Sequence, residues 1–284
     1  MSQKENNWVN TDQAWHKVYA RLEQDGLVHE NAKPKRLPGL SVVRWAAAAA
    51  AVLVICGIFF YRTGSEGAGD SPDLLMLHNE KGSVTLVTTL EDGSIVYLAD
   101  NSRLQYPERF SSEKREVILE GNALFDVTGN KECPFLIEAG QIQVEVIGTA
   151  FRVQSTGQTP FELSVQRGEV KVSDRKTGET CLVRAGQTAT LQAGQLDVIS
   201  STGAGFHTFT DRIRFKDEPL ENILHVINRE SPDMILRASP SLSNRKLTVT
   251  FADNAPEVIA ELVCAYLHAT YKKEGNTLMI SEPE

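Results

Sequence analysis

The residues able to do covalent or metal chemistry are sparse in this chain of 284 residues and stand apart from one another. Its four cysteines, Cys56, Cys133, Cys181 and Cys264, form no CxxC pair, and its six histidines fall without ligand spacing, so no metal site and no cofactor is expected. The "DGS" at Asp92 to Ser94 is turn chemistry without a partnered histidine. Glu91 and Asp92 are neighbours on one loop, not a facing carboxylate pair. Cys133 and Cys181 both fall in strand-rich sequence. They pair if that part meets an oxidising compartment, but two buried free thiols are the favoured reading. One further pair is unusual. Gly148-Thr149 interrupts the alternating strand "VEVIGTAFRV", which fits a β-bulge or a tight packing contact at Gly148.

Non-covalent chemistry has a clearer signature. In "NTDQAWHKVYARLEQDGL", Ala14, Trp15, Val18, Tyr19 and Leu22 share one face of a helix, with Asn10 or Thr11 as its N-cap and Gly26 as its stop. Residues 1–43 are too few to bury a core alone, so that apolar face is expected to meet a partner or a lipid surface.

Charge narrows the partners. Residues 1–44 carry seven Lys/Arg against five Asp/Glu, and the remaining residues carry twenty-two against thirty-two, within a net charge of -8. Phosphate binding needs clustered cations, and residues 63–284 offer none, so no direct nucleic-acid partner is expected.

Trp45 to Tyr61 contains no charged residue over about 25 Å of helix, and Trp45 and Tyr61 sit where an interfacial aromatic belt would lie. The run 44–62 therefore reads as a transmembrane helix. More than forty residues precede it, which does not suit a signal peptide. Lys33, Lys35, Arg36 and Arg44 before it, against Arg62 alone after it, place the N-terminus in the cytoplasm and the bulk in the periplasm. The expected localisation is the inner membrane. A Gly/Ser/acidic linker occupies 63–73.

Short apolar runs cut by "EDGS", "EGN", "TGN", "AGQ", "RGE" and "TGE" fill residues 74–200, the pattern of an all-β domain, either a sandwich or a short β-solenoid. Residues 206–284 regain helical periods. Phe215 and Phe251 each precede an Asp two residues on (Asp217, Asp253) and a helix-opening proline (Pro219, Pro256), a duplicated strand-helix unit. Leu220, Ile223, Leu224 and Ile227 line one helix face, and Val258, Ile259, Leu262, Val263 and Tyr266 the other, while Leu247, Val249 and Phe251 read as core. With a terminal hairpin turning at Gly275 and Asn276, the order β-α-β-β-α-β-β predicts a small α+β domain. The expected fold class is thus a single-pass membrane protein with an all-β periplasmic domain and an α+β domain behind it.

Four stretches in fixed order, "LEDGSIVYLADNSRLQYPERF", "REVILEGNALFDV", "PFLIEAGQIQVEVIGTAFRV" and "VQRGEVKVS…VRAGQTATL", resemble the FecR family of transmembrane anti-sigma factors and sigma regulators over most of residues 78–195. The tail from Phe209 to Ser281 is similar to the companion domain of Bacteroidetes members, itself like the short N-terminal domain of secretins and TonB-dependent transducers. "DQAWHKVYARL" resembles the helix at their cytoplasmic end. The resemblance implies a relay in which the signalling domain of a TonB-dependent outer-membrane transducer contacts residues 206–284, and residues 1–43 hold an ECF sigma factor through Trp15, Val18, Tyr19 and Leu22. Many proteobacterial members carry a longer cytoplasmic region. Some members cleave themselves at a Gly-Thr bond in this motif, here Gly148-Thr149, by attack of the threonine hydroxyl on the preceding carbonyl; that requires a strained bond and a base, and no base can be named. No other enzymatic activity is expected. The small residues Ala46 to Ala51 suggest a segment that an intramembrane protease could unwind. A membrane-tethered envelope scaffold or carbohydrate-binding module is the alternative, though Trp8, Trp15 and Trp45 all precede the region that would hold a glycan.

Overall fold

The computed structural model describes residues 11–25, 74–201, 206–231, 233–252 and 255–283. The chain divides into two units, Met1–Gly69 and Asp70–Glu284, each considered by itself. In the first, helix α1 spans Thr11–Gln24.

The second unit is organised by one long strand, β5 (Arg115–Asp126), whose twelve residues serve two sets of neighbours. Its first half pairs with β4 (Ser102–Pro107) and, in parallel, with β6 (Phe135–Ala139). Its second half pairs with β3 (Ile95–Leu98) and β8 (Ala150–Ser155). From the first half the ladder continues through β7 (Ile142–Val146) and β10 (Glu169–Asp174) to β11 (Thr180–Arg184), while β1 (Leu74–Asn79) adds to β4. From the second half it runs through β9 (Glu162–Arg167) and β12 (Gln187–Gln192) to β13 (Gln195–Ser200) on one side. On the other it runs through β2 (Thr85–Thr89) to β14 (Ile213–Pro219) and β16 (Lys246–Phe251). The switch of neighbours occurs at Gly121, with φ at +103°, where a Cβ would lie 2.3 Å from Ser102 Oγ. Only glycine allows the two strands to cross so closely.

The result is one continuous sheet of 15 strands that curls on itself, in place of the expected sandwich or short solenoid. A strand that turns a corner joins what would otherwise be two layers. Alternation along the strands turns Val117, Leu119, Phe125, Phe135, Ile137, Val144, Phe151, Val170 and Val172 inward. Phe125 stacks on Phe151 at 5.5 Å between centroids and meets Phe135 edge-on at 6.4 Å.

The expectation of a single-pass membrane protein in the inner membrane is overturned. Among the described residues no helix is long and apolar enough to cross a membrane. The longest, α1, has 14 residues, or about 21 Å of rise, against roughly 30 Å of hydrocarbon. The run 44–62 and the linker 63–73 lie outside the described residues. What the described residues form is a mostly β protein with a nearly closed, barrel-like sheet.

From β14 onward the order is α2 (Leu220–Glu230), β15 (Ile235–Ala238), the single turn α3 (Pro240–Ser243), β16, α4 (Pro256–Leu267), β17 (Thr270–Glu274) and β18 (Thr277–Ser281). β15, β18 and β17 make a separate small sheet. Leu220, Ile223, Leu224 and Ile227 are buried, as their spacing predicts, and Phe215 meets Phe251 edge-on at 6.2 Å. Thus the two equivalent phenylalanines of the duplicated unit pack on each other; Asp253 lies outside the described residues. Gly275 alone has positive φ at the last hairpin, the pattern of a type II′ turn. The free edge of β15 is closed by Asn228, whose side chain donates to Leu236 O at 2.9 Å and accepts from Leu236 N at 2.8 Å.

An ion pair ties the loops of the curled sheet together. Arg115 opens β5 on its inward face, 3% exposed, and donates to Asp92 Oδ2 at 2.6 Å. It also donates to the carbonyls of Cys133 at 3.0 Å and Thr128 at 2.9 Å, and lies 5.3 Å from the Phe135 ring centroid. Asp92 in turn accepts from Ser94 N and Ser94 Oγ, and Ser94 Oγ accepts from Thr128 N. Arg115→Met leaves the Asp92 carboxylate with Ser94 as its donor and no counter-ion, and takes the guanidinium from the carbonyls of Cys133 and Thr128. We expect it to cost about 3–5 kcal/mol, seen as a fall in Tm of ~10 °C or more by thermal denaturation, with Arg115→Met/Asp92→Asn losing much less than the sum of the two single changes.

Candidate functional site

Helix α1 exposes large apolar side chains. Trp15 is 65% exposed, Val18 47%, Tyr19 62% and Leu22 39%. Their spacing of three, four and seven residues brings all four to one stripe of a helix whose described side chains are all exposed. Two aromatic side chains with their apolar bodies in water are poised to bury a large area with little loss of rotamer freedom.

Gly148-Thr149 lies in the connection between β7 and β8, where the chain passes from one half of the sheet to the other. Gly148 is needed for space. A Cβ on it would sit 2.6 Å from Gly129 Cα, so the two backbones touch. The loop is clamped by Asn130 N donating to Ile147 O and Val127 N donating to Thr149 O, each at 2.8 Å. Gly168 closes the other side, because a Cβ there would lie 2.6 Å from Thr149 Cγ2 and 3.2 Å from Gly148 O. Thr149 is 2% exposed and its Oγ1 has no hydrogen-bond partner among the described residues. The hydroxyl needed for attack on Gly148 is therefore present and desolvated, with no base in hydrogen-bond contact.

Cys133 is buried and free, its Sγ 3.6 Å from Ser111 O, and Cys181 is free on β11, where burial and the Glu179 charge push its thiol up. The two are not bonded. In the C-terminal part, Leu247 and Phe251 are buried and Val249 packs against them. Helix α4 departs from the expected face. Ile259, Ala260, Val263, Cys264 and Leu267 are buried, while Val258, Leu262 and Tyr266 stand exposed in a stripe at intervals of four.

Sequence reading missed two polar centres. Arg115 and Asp92 were hidden in turn and strand patterns, although Arg115 stands in register with the inward Val117 and Leu119. Glu218 was hidden beside a helix-opening proline, where an acid usually serves the helix N-terminus. It is instead 7% exposed, and burial pushes its carboxyl up.

An unpartnered buried hydroxyl is destabilising, so Thr149→Val, which keeps the branched shape, should raise stability by about 1 kcal/mol and Tm by ~2–4 °C. An unchanged or lower Tm would show the hydroxyl to be hydrogen-bonded. The same variant, compared with wild type on a denaturing gel, reports whether that hydroxyl cuts the preceding bond.

Comparison with known proteins gives the following. Two crystal structures, at 1.65 Å and 2.50 Å resolution, of a candidate anti-sigma factor from Parabacteroides distasonis ATCC 8503 resemble this chain at 20% identity. Each aligns over 74% of this chain and 100% of its own, with a TM-score of 0.46. No curated protein matches. Residues 80–199, most of the curled sheet from the end of β1 to β13, match the family model described as FecR protein. Residues 80–199 therefore form a domain of the FecR family.

Proposed function

We propose that this protein is an anti-sigma factor: α1 binds a sigma factor of the ECF class, and residues 206–284 receive the signalling domain of a TonB-dependent transducer. The observation that carries the reading is the exposed apolar stripe of Trp15, Val18, Tyr19 and Leu22 in a chain whose residues 80–199 match the FecR family model. A helix with an apolar face and a polar back is suited to lie in a groove of its partner, and its affinity concentrates in the aromatic anchors. The larger unit contributes by recognition, not turnover, since its polar centres join strands to one another. The domain arrangement within this reading is a 1–43 sigma-binding segment, a 74–200 FecR-like domain and a 206–284 receiver. The P. distasonis protein described as a candidate anti-sigma factor agrees with the reading and carries none of its weight.

The test is a binding titration of the purified protein against its co-expressed sigma factor. Trp15→Ala/Tyr19→Ala should weaken the complex by at least ~2 kcal/mol, about thirtyfold in Kd, and release transcription from the sigma-dependent promoter. Unchanged affinity and unchanged repression would refute α1 as the grip.

A further inference from the structure

The receiver and the β sheet are joined at a seam that contains a buried acid. β14 pairs in parallel with β2 only over Ile213, Arg214 and Phe215, opposite Thr85, Leu86 and Val87. Beyond Phe215 the pairing with β2 ends, the β14–β16 ladder shifts register before Glu218, and Asp217 takes a φ of +54°. Past this bulge the Glu218 side chain takes over from the ladder. Thr88 Oγ1 donates to Glu218 Oε2 at 3.3 Å and Thr89 N donates to Glu218 Oε1 at 3.4 Å, while Asn222 Nδ2 of α2 donates to Oε1 at 2.8 Å. One carboxylate thus holds β2, β14 and the start of α2 together.

The contacts to β2 are long, and among the described residues no Lys or Arg forms an ion pair with Glu218. Lys246, on β16 opposite this point, is drawn to the exposed Asp217 carboxylate at 3.2 Å. Among the described residues, the titratable and charged groups facing Glu218 are Tyr106 of β4 and Lys246; β2 and α2 supply the hydrogen-bond donors Thr88, Thr89 and Asn222. Thr89 Oγ1, buried at the same place, has no partner among the described residues. A desolvated carboxylate whose two donors on β2 are weak, whose short donor is the neutral Asn222 amide, and whose facing cation Lys246 is paired with Asp217 is better satisfied when neutral, because the carboxylic acid removes the buried charge and adds a donor.

We propose that Glu218 is a proton-sensitive latch between residues 206–284 and the FecR domain: its protonation tightens the β2–β14 seam and its ionisation loosens it. The opposite end of α2 is a fixed staple. There Arg229 pairs with Asp126, which also holds Arg167 at 2.8 Å, and Tyr97 Oη donates to Glu230 at 3.0 Å. Loosening at Glu218 therefore pivots α2 about its C-terminal end. The inference does not depend on which partner either unit binds.

The sign follows from linkage. Burial raises the acid in the closed seam above its ordinary value of 4.5, so the closed state holds more protons than the open one between those two values, and closure weakens as pH rises through that window. The test is hydrogen-deuterium exchange of the full chain from pH 4.5 to 8, corrected for intrinsic rates and followed in the segments Thr85–Thr89 and Ile213–Pro219. Glu218→Gln should match wild type at the acid end and exceed its protection at pH 8, on the order of tenfold for each unit by which the acid is raised. Thr88→Val, which removes a donor to the ionised form, should move the wild-type midpoint to higher pH. A wild-type to Glu218→Gln ratio that stays constant with pH, or a Thr88→Val midpoint that is unchanged or lower, overturns the latch.

Discussion

The buried Arg115–Asp92 pair is the constraint on which the curled sheet depends. A long strand that serves two halves of a sheet leaves the loops at its start without ladder partners, and buried carbonyls without donors are costly. Arg115 answers this with one planar fork. It takes up Asp92 from the turn before β3, and the backbones of Thr128 and Cys133 from the segment after β5. The ion pair is tolerated in the interior because nearly every charge-bearing atom has a hydrogen-bond partner and because Phe135 offers its ring face to the guanidinium. The Gly148-Thr149 crossing is held against the Gly129 backbone beside this centre, so a change at Arg115 should be felt there too.

The C-terminal residues are not an independent bead. β14 adds to β2, and Val87, Ile95, Tyr97 and Leu124 of the FecR domain belong to the same apolar cluster as Phe215, Ile223, Ile227 and Phe251. Any force applied to residues 206–284 is therefore delivered to β2 and β3, the strands that flank the Asp92 turn. Polar contacts at the two ends of α2 differ in kind. One end is a charge network with satisfied partners, and the other is a single under-compensated acid, which makes the second the softer joint.

Much of the secondary structure was legible beforehand. Turn signals such as Gly93 and Gly275, with φ of +77° and +62°, fall where strands end, because L residues are strained there and glycine is not. The inward faces of β5 to β10 alternate as their residues do. Both prolines open helices, and Leu220, Ile223, Leu224 and Ile227 face the core. On α1, Trp15, Val18, Tyr19 and Leu22 share one side, since in a helix period alone decides which side chains do so. The outer face of α4 was misread: Val258, Leu262 and Tyr266 have the spacing of core residues, and hydrophobicity does not say which of two adjacent apolar stripes a neighbour will cover.

Local pattern therefore determined which residues lie on a common face, where strands and helices begin, and that the chain carries the FecR motifs, because these follow from backbone sterics and side-chain period within a few residues. Tertiary structure alone decided that β5 is shared by two halves of one sheet, that Arg115 and Glu218 are buried, that Thr149 has no hydroxyl partner, and that β14 joins β2. Those facts arise from contacts between residues 23 to about 130 positions apart, such as Arg115 with Asp92 and Thr88 with Glu218. Desolvation depends on what surrounds a group in space, and no window of sequence contains that.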